Sequence, residues 1–307
     1  MSIIDILLDR IKRELSKPDI IWETGEKPQL KDLEFLKTEC MKDSDFDKMN
    51  KRKYMYNKML KKQATLFRKC EYGQIFVIYD NQDQIGHIPW DLWGRILRMF
   101  YEGKRFKVFF LAHPSLRMFP KGAITPENIN AEFSVQPITQ SITQPITQSI
   151  TQPITPEHIN GGYTYKCNTE TIVLFRAEDA TRVLIHEIQH ALCLDKHENI
   201  DLMEAETEAW AELFYIAILS GGKKCIFKDM LNRQSEWIVK QNAKVKLRMK
   251  NMEFPWRYTV GKEEVWRRWN ILQDFESGLK VNSLRLTFPP NDLLKKRFKV
   301  SKDSTIL

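Results

Sequence analysis

The sequence contains no CxxC pair. Its five cysteines, Cys40, Cys70, Cys167, Cys193 and Cys225, are odd in number and widely spaced. This argues against a disulfide framework and against a cysteine-type zinc site. No stretch approaches the roughly 20 apolar residues that a membrane helix needs, so no membrane span is expected. The opening MSIIDILLDRIKRELSKP lacks a basic start and a small-residue cleavage site, and Asp5, Asp9 and Arg10 interrupt its apolar positions. It reads as an amphipathic helix ending at Pro18, not as a secretion signal. Missing signal and unpaired cysteines together predict an intracellular location.

What is present is an ordinary globular composition, 42% hydrophobic and 29% charged over 307 residues, enough chain for one large or two small domains. The net charge of +8 is unevenly spread. Lys223 to Asp303 holds 20 Lys/Arg against 9 Asp/Glu, whereas Glu178 to Glu212 holds 2 against 10. The basic end makes nucleic acid one partner class to consider.

The first 70 residues read as helical, from the apolar spacing of Met49, Met55, Tyr56, Met59, Leu60, Leu66 and Phe67. QIFVIYD (74–80), FKVFFLA (106–112) and ETIVLFR (170–176) read as strands, with a helix over WDLWGRILRMFYEG between the first two. Residues 137–156, PITQSITQPITQSITQPITP, form a four-residue repeat flanked by the near-copies ITPENIN and ITPEHIN. Proline at 137, 145 and 153 excludes a helix or central strand there, so about 131–156 reads as a low-complexity insertion. A basic helical part begins near residue 222.

Chemistry concentrates in VLIHEIQHALC, 183–193. At 100° per residue, His186 and His190 present ring nitrogens to one point on a helix face. Two imidazoles at this spacing suit zinc, and Glu187, one step round, can take a proton from a water whose pKa the metal lowers towards about 7. The flanking residues are uncharged, so a buried Glu187 is costly unless it has a role. A third ligand is needed. A third histidine after a glycine turn is absent, since Cys193 and Lys196 stand at those places and His197 comes one residue late. The later stretch EAETEAWAELF places Glu204, Glu208 and Glu212 on one helical face. His87, His113 and His158 have no helical partner at ligand spacing and read as ordinary.

HEIQH followed by ETEAWAELF resembles the gluzincin class of zinc metallopeptidases. INGGYTYKCNTETIVLFRAEDATRVLIHEIQHAL is also similar to a little-characterised group of metallopeptidase-like proteins of large DNA viruses. The resemblance covers about residues 159–215. It implies an α+β, zincin-like fold over 71–307, with a small mixed sheet over the HExxH helix and a second, glutamate-bearing helix. It implies one zinc held by His186, His190 and Glu208, with Glu212 supporting a histidine; Glu204 as ligand is the alternative. Glu187 would be the general base in hydrolysis of a peptide or protein substrate, TIVLFR would be the edge strand that pairs with it, and Tyr215, Tyr258 and His197 are candidate oxyanion donors. Two rival readings are a nucleic-acid-associated binding module and an inactive zinc-holding scaffold.

Overall fold

A computed structural model describes residues 2–24, 28–61, 65–120, 153–195, 198–249, 254–272 and 279–288. The core of the expected insertion, through residue 152, lies outside the described residues, as do Lys196, His197 and residues 289–307. The fold is mixed α+β. Six strands, β1 (Glu23–Thr24), β2 (Thr65–Cys70), β3 (Gly73–Ile78), β4 (Phe106–Leu111), β5 (Gly162–Tyr163) and β6 (Ile172–Leu174), form one sheet in the order β1-β2-β3-β4-β6-β5. β3, β4 and β6 are parallel to one another, and the outer pairings are antiparallel.

Side chains alternate across a strand, which explains why β3 and β4 are apolar at nearly every position. Ile75, Val77, Val108, Phe110, Ile172 and Leu174 enter one core. Phe76, Ile78, Phe109, Leu111 and Val173 enter a second on the opposite face. The second core is closed by α2 (Leu30–Met41) and α3 (Lys51–Leu60), through Leu36, Cys40, Met55 and Tyr56. The larger core is closed by α1 (Ile3–Leu15), α5 (Trp90–Met99), α7 (Ala180–Ala191), α8 (Ile200–Ser220), α9 (Lys224–Lys246) and α11 (Val260–Arg268). Short helices α4 (Asp83–Gly86), α6 (Pro156–Ile159) and α10 (Phe254–Tyr258) complete the described elements.

Several expectations are met. α1 is amphipathic, is capped by a Ser2–Asp5 capping box and buries Leu7, Leu8 and Ile11. α8 ends at Gly221, whose φ of 65° is the left-handed cap that glycine adopts without strain. No described helix is long and apolar enough to cross a membrane.

Three expectations are corrected. The first 70 residues are not all helical: α3 stops at Leu60, and Thr65–Cys70 pairs antiparallel with β3 along its full length. The alternation of Leu66 and Phe67 within TLFRKC serves a sheet, and tertiary pairing overrides the helical spacing. TIVLFR does not form the sheet edge. β6 lies between β4 and β5, and the edge is Gly162–Tyr163. Gly162 is required there, because a Cβ would come within 2.6 Å of Val183 Cγ1 on α7. The cysteines are not all free: Cys167 and Cys193 form a disulfide with Cα atoms 4.9 Å apart, while Cys40, Cys70 and Cys225 are unpaired.

Several charges of the basic C-terminal part are paired within the fold. Arg257 pairs with Asp201, Lys262 with Glu212, Arg267 with Glu263, Arg268 with Glu206 and Arg285 with Asp179.

Candidate metal centre

The HEIQH segment lies in the C-terminal half of α7, a helix whose every residue is buried. A short connection from β6 delivers the chain into it. Asp179 begins the helix in the left-handed region and is held by Arg285 and the Leu286 amide. The helix ends without glycine. Cys193 takes the left-handed position at φ 56°. Its amide donates to the His190 carbonyl, and the Leu194 amide to the Gln189 carbonyl, the pair of bonds that closes a Schellman turn. The disulfide to Cys167 fastens this turn, and the Cys167 amide also donates to the His190 carbonyl.

α7 and α8 present matching stripes. On α7, Arg182, His186 and His190 stand four residues apart, and on α8 so do Glu204, Glu208 and Glu212. The helices run antiparallel, so the rows pair in reverse order. His186 Nε2 and His190 Nε2 are 2.8 Å apart. Glu204 Oε2 lies 3.3 Å from the first and 3.4 Å from the second. These three side chains form a group whose ligand atoms all fall within 4.8 Å. Glu204 Oε2 is buried and has no hydrogen-bond partner among the described residues.

Glu208 stands one turn further on. Arg182 grips it with both terminal nitrogens, one of them 2.7 Å from Oε1, and its Oε1 lies 3.2 Å from His186 Nδ1. The structure thus places Glu204, the alternative, at the two imidazoles and puts Glu208 behind His186. The reason is Arg182: a buried guanidinium takes the carboxylate that matches its fork. Glu212 supports no histidine. It accepts from Arg182 Nε and Lys262 Nζ, both at 3.3 Å, and from Thr287 Oγ1. The histidine support comes from a residue the sequence reading missed: Asp195 Oδ2 is 3.0 Å from His190 Nδ1. Asp195 was legible only as an acid just past the helix end. Arg182 was legible as a lone cation four residues before His186 in an apolar helix.

Electrostatics divide the two imidazoles. Burial and the His190 charge lower His186 to about 4. Burial also opposes charge on His190, but Glu204, Glu187 and Asp195 outweigh it and raise that ring to about 9. Glu204 is held well below the usual carboxylate range: burial works against its charge, and the two histidines beside it prevail. Burial, reinforced by the Glu204 charge and opposed by His190, pushes Glu187 up to about 8. Glu187 makes no hydrogen bond or ion pair among the described residues.

The three candidate oxyanion donors separate. The Tyr258 ring lies 6.1 Å from that of His186. Burial and the Glu204 and Glu187 charges raise its phenol far above the ordinary value, so it keeps its proton. Tyr215 lies elsewhere, in a cleft of about 410 Å³ with Trp93, Asp179 and Arg285 near the start of α7. His197 is outside the described residues.

Chemically, two imidazole nitrogens and one carboxylate oxygen that converge on a point, one of them unpartnered, fit a divalent metal of the zinc type. No protein-family model, no curated protein and no solved structure matches the chain.

Proposed function

We propose that the protein is a zinc-dependent peptidase of zincin-like fold. The observation that carries this reading is the convergence of His186 Nε2, His190 Nε2 and the unpartnered Glu204 Oε2 beside the buried Glu187. His186, His190 and Glu204 would hold the metal. When bound, zinc supplies a Lewis acid that polarises an oxygen and makes a water acidic enough to attack at neutral pH.

The chain's own groups do the rest. Asp195 accepts from His190 Nδ1 and so orients the ring, whose Nε2 would give up its proton on metal binding. Glu208 Oε1 stands 3.2 Å behind His186 Nδ1, which makes no hydrogen bond among the described residues, and Arg182 fixes Glu208 in place. With a cation bound beside it, which would favour its ionised form, Glu187 would accept a proton from the attacking water and deliver it to the leaving amine. Tyr258, protonated and beside His186, donates to the oxygen on which charge develops. An extended substrate would add to the sheet at β5, its outer strand on this side.

The test is metal content by mass spectrometry of wild type, Glu204→Gln and Glu208→Gln. The expected result is about one zinc per chain in wild type, loss in Glu204→Gln, and binding weakened about 10- to 100-fold in Glu208→Gln. Zinc kept in Glu204→Gln but lost in Glu208→Gln would return the ligand role to Glu208. No zinc in reconstituted wild type would overturn the reading.

A further inference from the structure

A second polar cluster lies apart from the metal ligands, at the carboxyl ends of the parallel strands. β4 and β6 pair with Phe110 opposite Leu174. Two residues past their last residues, Leu111 and Leu174, come His113 and Arg176. Lys51, the first residue of α3, and His158 of α6 join them. In open sheets, the crevice outside the carboxyl ends of parallel strands is where ligands commonly seat.

The cationic groups here lack adequate partners. Lys51 is 1% exposed and Arg176 2%, and Lys51 Nζ and Arg176 Nε make no hydrogen bond among the described residues. Asp47 cannot serve Lys51 fully. Its oxygens already accept from the Lys51 and Arg52 amides at 2.9 and 3.0 Å and from Arg52 Nε at 3.2 Å, and Lys51 Nζ stands 3.7 Å away. Arg176 donates only to the neutral Glu157 carbonyl, at 2.7 Å, and makes no ion pair among the described residues. Burying a cation without a matched anion is costly.

The four groups feel one another. After burial, the Lys51 and Arg176 charges both lower His113 and His158, and Arg176 lowers Lys51. The acids nearby are Asp47, Asp80 and Glu157, and Glu178 and Asp179 also act on Arg176, although Arg117 holds Glu178 and Arg285 holds Asp179. Asp80 is taken by Lys58 at 2.8 Å. His113 and His158 are half-buried and are the more exposed members of the cluster.

We propose that Lys51, Arg176, His113 and His158 bind a small multivalent oxyanion of the phosphate class, which completes the bonds that Lys51 Nζ and Arg176 Nε lack. The closed surroundings of those two nitrogens suit a free ion or a terminal phosphoryl group. This assignment does not depend on the peptidase reading.

The experiment is calorimetric titration and thermal unfolding of the full chain with inorganic phosphate, with ribose 5-phosphate, and with chloride at matched ionic strength. Wild type should show saturable phosphate binding and a rise in Tm that chloride does not give. Binding should weaken at least ten-fold in Lys51→Met and in Arg176→Gln. Tighter ribose 5-phosphate binding would identify a phosphoryl group as the ligand, and tighter inorganic phosphate a free ion. If Lys51→Met fails to fold, His113→Gln, at a more exposed member, should still weaken binding. Equal effects of phosphate and chloride, or undiminished phosphate binding in the variants, would overturn the proposal.

Discussion

Arg182 and Glu208 form a buried, two-pronged ion pair across α7 and α8, one turn from the His186 ring. The pair ties the HEIQH helix to the glutamate-bearing helix and keeps Glu208 from the cleft between the imidazoles. Replacing one partner of such a pair strands the other charge, at a cost of about 3–5 kcal/mol. Arg182→Met should therefore lose about that much in denaturant unfolding. Arg182→Lys, which keeps charge but not the fork, should lose less. A loss below about 1 kcal/mol in Arg182→Met would contradict the pairing.

Glu187→Gln separates metal holding from proton transfer. The amide keeps the shape of the side chain and removes its basicity. Zinc content should stay at the wild-type level while hydrolysis of a peptide library falls at least about 100-fold. Equal activity in the variant would remove Glu187 from the mechanism.

The Cys167–Cys193 bond spans 26 residues and pins the turn from which Asp195 reaches His190. A cross-link of this loop length contributes on the order of 2–4 kcal/mol. Dithiothreitol should lower Tm and speed zinc release to a chelator. Cys193→Gly, which accepts the φ of 56° freely, should be at least as stable as the reduced wild type, and Cys193→Val clearly less so. Unchanged Tm and zinc release on reduction would show that the bond carries no load.

Lys262 gives a pH signature. Burial lowers it from the ordinary 10.5 to about 8, although Glu212 opposes the shift. Between those values the unfolded chain binds the proton and the folded one does not, so stability rises with pH from about 8 to 10.5, by at most about 1.4 kcal/mol per unit. The contribution is lost as pH falls through 8. Lys262→Met should lack this rise when its unfolding curves are compared with wild type at pH 7.5 and 10. Parallel curves would refute the shift.

The sequence by itself determined the local features. Periodicity placed the helix of HEIQH, the face shared by Glu204, Glu208 and Glu212, the strands at 74–80 and 106–112, and the stop at Gly221, because each depends on neighbours a few residues apart. It could not order the glutamates. Which one meets the imidazoles depends on how far α8 slides along α7, and Arg182 sets that by claiming Glu208. Nor could it show that Ile172–Leu174 lies inside the sheet, since strand order is decided by which chain segment, here Gly162–Tyr163, finds the open edge. The Cys167–Cys193 bond and the gathering of Lys51, His113, His158 and Arg176 were invisible for the same reason. Their members are far apart in the chain, and only the packing of helices on both faces of the sheet brings them together.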